Sequence, residues 1–230
     1  MRLTFASYNI HKAVGLDRRR DPERILSVLH ELGADVVALQ EADRRFGGRA
    51  AVLPRRLLDE HGWHAAMLRM TPDGMAWHGN AILVRKGIEI VAAEAIALPM
   101  LEPRGAVRAT LRAGVHEFQV VGMHLDLSGL VRRRQVETIC AAAHRSGAPA
   151  VLLGDLNEWS ARGGALRGIP PDWSIVGCGR SFPARRPLAP LDRIVHSPHW
   201  RCEHGRVHHS AQAAVASDHL PVVAALTLGA

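Results

Sequence analysis

Aromatic residues and cysteines are scarce in this sequence, and long apolar runs are absent. Aromatic side chains make up only 4% of the 230 residues, which leaves few rings that could stack on nucleic-acid bases. The cysteines form neither a metal motif nor an even disulfide set, so we expect a thiol-reduced, cytoplasmic protein; they are Cys140, Cys178 and Cys202. No apolar run approaches the roughly 18 residues of a membrane span, and no signal peptide precedes the first strand-like run, so we predict no transmembrane segment.

The overall composition is typical of a globular protein with a basic surface. Apolar residues make up 47% of the chain and no low-complexity tract stands out, so we expect a globular protein. The length suits one large domain or two small ones, and we predict one domain over residues 1–230 and a monomer. The net charge of +7, from 29 basic and 22 acidic residues, favours a polyanionic partner such as nucleic acid or anionic lipid headgroups. The arginine clusters are each more typical of a solvated surface than of a binding stripe; they lie at 18–20, 132–134 and 185–186.

Short apolar runs separated by a few helical patterns predict an α/β fold with two packed sheets. Strands are predicted at 2–8, 35–39, 79–84, 88–97, 106–111, 118–123, 150–153, 191–195, 200–209 and in a final run ending near 228. Helices are predicted at 22–32, 55–61 and 130–145, the first with Asp21 as its cap and Gly33 at its end. Residues 99–105 and most of 160–190 are predicted to be loop.

Polar residues follow the first two predicted strands. A helix separates these strands, so a βαβ unit would make them parallel and bring Asn9 and Glu41 together at their carboxyl ends. Asn9 either opens a turn or positions a metal or phosphate. Glu41 is either a solvated strand end or a ligand of a divalent metal.

Asp155 and Asn157 follow the buried run 150–153. On an extended backbone residues i and i+2 point to the same face, so we expect this carboxylate and this amide to lie side by side. The carboxylate can take a proton from water and the amide can donate to a phosphoryl oxygen. The alternative is a strand followed by an Asx turn without a catalytic role.

Five motifs in order along the chain resemble the endonuclease/exonuclease/phosphatase superfamily. The most characteristic are Gly154-Asp155-Leu156-Asn157 and Ser217-Asp218-His219-Leu220-Pro221-Val222. The others are the opening Tyr8-Asn9-Ile10-His11-Lys12, Glu41 after the second strand and His124 after the run 118–123. The superfamily includes deoxyribonuclease I, exonuclease III, neutral sphingomyelinases and inositol-phosphate phosphatases. The resemblance spans residues 9–222 and is strongest to small bacterial members of unassigned substrate.

The resemblance implies a fold and a reaction. The fold is a deoxyribonuclease-I-like four-layer α/β sandwich, in which two mixed sheets pack face to face between helices. The reaction is hydrolysis of a phosphate ester with Mg²⁺ or Mn²⁺. Glu41 resembles the principal metal ligand, with Asn9 close by, and Asp218 would contribute directly or through water. Such hard ions prefer oxygen ligands and keep several waters.

The resemblance also assigns the groups that act on the phosphate. Asp155 would orient and deprotonate the attacking water, and Asn157 would hold a phosphate oxygen. His219 would stabilise charge on the phosphoryl oxygens, and Asp192 would fix its tautomer and raise its pKa. His124 matches the deoxyribonuclease I and sphingomyelinase branch, where this histidine acts on the phosphate or the leaving group.

The chain departs from the superfamily pattern at two points. No clear acidic partner for His124 can be found in the sequence. Tyr8 is the only tyrosine, so the active-site tyrosine of the exonuclease III branch is missing. Arg104 is placed to take over that contact with phosphate. Asn80 either supports Glu41 or the phosphate, or is a turn amide.

The function that this resemblance implies is that of a metal-dependent phosphodiesterase or nuclease. A phospholipid or a small phosphoester is the alternative substrate, although no apolar hairpin that would enter a bilayer is evident. A non-catalytic module that binds nucleic acid is the alternative of another class. Trp77 and Trp159 either flank the site or pack in the core.

Overall fold

A computed structural model describes residues 1–43, 51–66, 77–102 and 104–229. The strands in these ranges are β1 (Arg2–Asn9), β2 (Val36–Gln40), β3 (Trp63–Ala65), β4 (Ala81–Arg85), β5 (Glu89–Ile96), β6 (Gly105–Ala113), β7 (His116–His124), β8 (Ala150–Asp155), β9 (Ser174–Ile175), β10 (Asp192–His196), β11 (Trp200–Val207) and β12 (Val222–Leu228). The helices are α1 (Pro22–Leu32), α2 (Arg55–Glu60), α3 (Gly129–His144) and α4 (Ala213–Ala216). Pro103, in the predicted loop 99–105, lies outside the described residues.

The strands form two mixed sheets of six strands each. The first has the order β11-β12-β1-β2-β4-β3 and the second has the order β5-β6-β7-β8-β10-β9. Each sheet has a parallel pair near its centre, β1 with β2 and β7 with β8, and the other pairs are antiparallel. The predicted βαβ unit is therefore confirmed, and β7, α3 and β8 form a second one.

Three buried apolar clusters show that the sheets and helices are stacked in four layers. Side chains from α1 pack against one face of the first sheet, for example Leu29 against the region of Leu39. The opposite face meets the second sheet, where Phe5 and Phe118 touch edge to face with their ring centroids 6.2 Å apart. The outer face of the second sheet is covered by α3, through side chains such as Ile139. Strands buried on both faces give the continuous apolar runs seen in the sequence.

The local signals placed most elements correctly. The Asp21 side chain accepts a hydrogen bond from the Arg24 backbone N–H, and Gly33 ends α1 with a φ of +57°. The short strand β3 and the single turn α4 were not predicted, since three or four residues are too few for a period to show. The three cysteines are free. No helix in the described ranges is long and apolar enough to cross a membrane.

The topology gathers the polar motif residues at one end of the strands in both sheets, which we call the edge of the sandwich. β1, β2, β7 and β8 all end there, and β4, β6, β10 and β12 all begin there, as their pairing registers show. Carboxyl ends of parallel strands are a common place for a ligand site. The side chains at this edge are therefore the candidate site.

Candidate active site

Asp155 lies at the centre of the edge and is almost fully buried. It is the last residue of β8, and the registers place it opposite His124 of β7 and Asp192 of β10. Its Oδ2 lies 3.3 Å from His124 Nε2 and 3.7 Å from His219 Nε2. Asn9 Nδ2 donates to the same oxygen at 3.0 Å. Three residues predicted from separate motifs therefore meet at the Asp155 carboxylate.

The His219 imidazole is held by a second buried carboxylate. Its Nδ1 lies 2.8 Å from Asp192 Oδ2, which also accepts from the Ser181 hydroxyl at 2.5 Å. The Ser217 hydroxyl accepts from the His219 backbone N–H at 3.3 Å and donates to the Asn9 carbonyl at 2.7 Å. Burial by itself would lower the pKa of His219, but the Asp192 carboxylate, with Asp155 beyond it, raises that pKa to about 10. This imidazole is therefore a cation at neutral pH.

His124 has the opposite protonation state. Burial is the main cause that lowers its pKa to about 4, and the Arg104 guanidinium lowers it further against the opposing effect of Asp155. Arg104 Nη1 contacts both ring nitrogens of His124, Nδ1 at 2.9 Å and Nε2 more closely. An arginine can only donate, so the contact suits a neutral ring, which keeps one acceptor nitrogen. The acidic partner of His124, which the sequence alone did not reveal, is Asp155, the residue directly opposite His124 in the parallel pair of β7 and β8. A neutral ring is a poor proton donor at neutral pH. His124 is therefore better suited to orienting the Asp155 carboxylate than to acting as a general acid.

Asn157 does not follow the extended geometry expected from the sequence. The strand ends at Asp155, and Asn157 has a φ of +50°, in the left-handed region that asparagine tolerates. Its backbone N–H donates to Asp155 Oδ1 at 2.9 Å, which makes the segment an Asx turn. Its Nδ2 donates to the Leu125 carbonyl at 2.9 Å. The expectation of an extended pair was wrong, yet the turn still holds both side chains at the same edge.

Glu41 follows β2, and the backbone of Gly79 packs closely against its main chain. Its φ is +56°, and a Cβ on Gly79 would lie 3.3 Å from Glu41 Cα, so only glycine fits there, with a φ of +83°. The Lys12 ammonium forms an ion pair with Glu41 Oε2. Burial by itself would raise the pKa of Glu41, but the Lys12 contact lowers it to about 2.

Sequence reasoning overlooked Lys12, although it stands in the opening motif. Its side chain reaches Glu41 because His11, Lys12 and Ala13 all have positive φ values, between 44° and 58°. Non-glycine residues pay roughly 1–2 kcal/mol each in this conformation, and such strain is concentrated at functional sites. The segment is tied down by a hydrogen bond from the Lys12 N–H to the Glu41 carbonyl.

Three predicted residues lie at the margin of this centre. Asp218 is partly exposed and lies 3.9 Å from His11 Nδ1. Asn80 donates from Nδ2 to the carbonyls of Trp77 and Gly105, which favours the turn amide, while its buried Oδ1 has no hydrogen-bond partner among the described residues. Arg104 donates from Nε to Glu102 as well as contacting His124. Of the two tryptophans, Trp77 packs against the core between the sheets, whereas Trp159 is exposed.

Comparison with known proteins agrees with this arrangement. The sequence profile described as Endonuclease/Exonuclease/phosphatase family matches residues 6–219. The chain belongs to this family. Members of the family are in general phosphoester hydrolases, and the fold usually uses divalent metals. No curated protein matches by sequence.

Solved structures share the family fold across the whole chain. An endonuclease/exonuclease/phosphatase from Bacteroides vulgatus superimposes with a TM-score of 0.75, 16% identity and full coverage of both chains. TDP2 of D. rerio, in a complex with single strand DNA product, gives a TM-score of 0.76 and 18% identity, with 98% of this chain and 99% of that chain covered. Mannosyl-6-phosphatase of Bacteroides thetaiotaomicron gives a TM-score of 0.76 and 18% identity, with coverage of 98% and 100%. At these identities the likeness concerns the fold.

The residues present fit the divalent ion that is usual for the family. A cation, the Lys12 ammonium, already contacts the Glu41 carboxylate, so this part of the site attracts positive charge. Asp155, Asp192 and His219 also bring ligand atoms within 4.8 Å of one another. In that group, however, His219 Nδ1 is hydrogen-bonded to Asp192 Oδ2 at 2.8 Å. A histidine with a raised pKa is a poor metal ligand, because the imidazole must be neutral to bind a metal. Glu41 is therefore the better candidate for a hard cation.

Proposed function

We propose that this protein is a divalent-metal-dependent phosphodiesterase that hydrolyses its substrate with a water activated by Asp155. The observation that carries the proposal is the arrangement at the sheet edge. One buried carboxylate lies within 4 Å of a cationic imidazole, His219, and a neutral one, His124. Opposite protonation states around a general base are typical of acid–base catalysis at neutral pH.

Each side chain has a chemical task in this proposal. Asp155 Oδ2 accepts the proton of the attacking water, while Asn9 and the Asn157 N–H hold the carboxylate in place. His219 donates from Nε2 to a phosphoryl oxygen, since its Nδ1 is directed to Asp192. Arg104 and Asn157 lie at the same edge and supply further positive charge and an amide to the phosphate. When bound at Glu41 and Asn9, with Asp218 nearby, Mg²⁺ or Mn²⁺ would neutralise charge on the phosphoryl group.

A nucleic-acid phosphodiester is the substrate that the observations favour. The net charge is +7, and the structurally similar TDP2 was solved with single strand DNA product. The mannosyl-6-phosphatase neighbour makes a small phosphomonoester the alternative. The predictions of one domain over residues 1–230, a monomer and a cytoplasmic location stay predictions.

Hydrolysis of bis-p-nitrophenyl phosphate tests the proposal. We expect release of p-nitrophenol with Mn²⁺ or Mg²⁺, no release after exhaustive chelation with EDTA, and recovery when the metal is added back. A parallel assay with p-nitrophenyl phosphate separates a diesterase from a monoesterase. Activity that survives complete chelation would contradict the metal requirement, and no hydrolysis of either ester with metal would favour a non-catalytic binding module.

Replacing Lys12 by methionine should strengthen metal binding. The ammonium competes with a divalent cation for Glu41, so we expect its loss to lower the Kd for Mn²⁺ several-fold, as removal of a partly buried competing charge allows. Isothermal titration calorimetry with Mn²⁺ measures the change. Lys86→Met removes the same charge from an exposed position beyond β4 and serves as the control. An equal effect of both variants, or weaker binding in Lys12→Met, would contradict the competition.

A further inference from the structure

A row of rings leads from the candidate site to the surface. The Phe182 ring lies 4.7 Å from the His219 imidazole, and Trp159 lies 6.2 Å beyond it at an interplanar angle of 86°. Leu188, which is exposed, is joined to this row by a hydrogen bond from its N–H to the Phe182 carbonyl at 2.7 Å. We call Trp159, Phe182 and Leu188 the aromatic ledge.

Trp159 is exposed although its loop is firmly held. Its side chain is 62% exposed, whereas every other described tryptophan, tyrosine and phenylalanine is buried or half-buried. On one side of it, buried Glu158 accepts hydrogen bonds from the N–H groups of Ser160 and Ala165, both at 2.9 Å. The Ser160 carbonyl also accepts from Arg193 at 3.0 Å. A large ring held outside the core by a rigid loop has its apolar face available for a ligand.

Exposed arginines lie close in the sequence to both rings of the aromatic ledge. Arg162 follows Trp159 in the chain, and Arg185 and Arg186 follow Phe182 in a turn closed by a bond to the Pro183 carbonyl. All three are exposed, and within the described ranges none has an ion-pair partner. An exposed aromatic surface with free cations close by in the chain fits a planar base on a chain of phosphates, and single-stranded nucleic acid is bound in this way.

We propose that the aromatic ledge stacks a nucleobase next to the phosphate held at Asp155 and His219, which makes single-stranded nucleic acid the substrate class. The inference rests on the proposed function for the position of that phosphate. Each base that stacks on an aromatic side chain contributes roughly 1–3 kcal/mol, and the contact is tolerant of sequence. Within the ledge, Phe182 contacts the His219 imidazole, and Trp159 stacks on the base.

Binding without turnover tests the ledge separately from catalysis. A short oligothymidylate and an abasic oligomer of the same length are titrated in EDTA, with calorimetry and tryptophan fluorescence as readouts. We expect the wild type to bind oligothymidylate about tenfold more tightly than the abasic oligomer, with quenching of Trp159. Trp159→Ala should bind both oligomers alike, and Trp159→Phe should keep most of the preference. Val115→Ala, at the opposite end of β6 and β7, should behave as wild type.

The outcomes separate the two proposals. Loss of the base preference in Trp159→Ala alone supports the ledge, whatever the rate of bis-p-nitrophenyl phosphate hydrolysis. The aromatic ledge is overturned if Trp159→Ala keeps the preference for oligothymidylate, or if the wild type binds both oligomers equally or binds neither. A parallel titration with phosphatidylglycerol vesicles also overturns it if Trp159→Ala loses only its binding to the vesicles. Normal hydrolysis together with any of these results would leave the proposed function standing and remove the ledge.

Discussion

Asp155→Asn is expected to lower kcat roughly 100-fold or more on bis-p-nitrophenyl phosphate while the protein still folds. The amide has nearly the shape of the carboxylate, and its single oxygen can keep one of the two hydrogen bonds that Asp155 accepts, from the Asn157 N–H or from Asn9 Nδ2. It cannot take a proton from water, and it no longer offers a negative charge to His219, 3.7 Å away. Steady-state kinetics with saturating Mn²⁺, together with a thermal melt, measures both parts of the expectation.

A matched control for this variant lies at the other end of the same fold. Asp35 accepts from the Thr4 N–H at 2.7 Å, just before β2 begins, so Asp35→Asn removes a carboxylate with a similar structural task far from the site. We expect Asp35→Asn to change stability with little change in kcat. Near-wild-type turnover in Asp155→Asn, or an equal loss in both variants, would refute the assignment of Asp155 as the base.

His219→Gln is the second variant with a large expected effect. Glutamine can still donate one hydrogen bond but carries no charge, so charge on the phosphoryl oxygens loses its cationic partner. Loss of the charge on this preorganised donor is expected to cost roughly 100-fold or more in kcat. His124→Gln provides the comparison, because His124 is neutral and oriented toward the same carboxylate. We expect the smaller loss in His124→Gln, and the reverse order would contradict the division of roles between the two histidines.

The pH profile gives an independent reading of His219. Its pKa in the folded protein, about 10, lies above its ordinary value of 6.5. Activity that needs the protonated ring should therefore persist through neutral pH and fall as the pH rises through about 10. The protonated ring contributes fully to the stability of the folded protein below pH 6.5. This contribution is lost as the pH rises from 6.5 through about 10. Asp192→Asn removes the negative charge 2.8 Å from His219 Nδ1 and should shift the alkaline limb to lower pH. An unchanged limb would show that another group controls it.

The sequence by itself determined most of the longer elements and, for α1, the residues that end it. Asp21, Pro22 and Gly33 specify the ends of α1 through local hydrogen bonds and backbone conformation, so no tertiary information was needed. The apolar runs around Leu39 and Leu153 identified strands buried on both faces. The helix between β1 and β2 implied a parallel pair, and that pair correctly placed Asn9 and Glu41 at one edge.

Only the tertiary structure decided which partners the polar side chains have. His124 and Asp155 are far apart in sequence and meet because the register of β7 against β8 puts them opposite each other. The contact of Lys12 with Glu41 depends on three left-handed residues that no periodicity reveals. The exposure of Trp159 depends on how the loop that carries it is fastened to the sheet edge. Local sequence patterns set backbone conformation, whereas register, burial and neighbouring charges follow from packing, and these set the pKa values on which the chemistry depends.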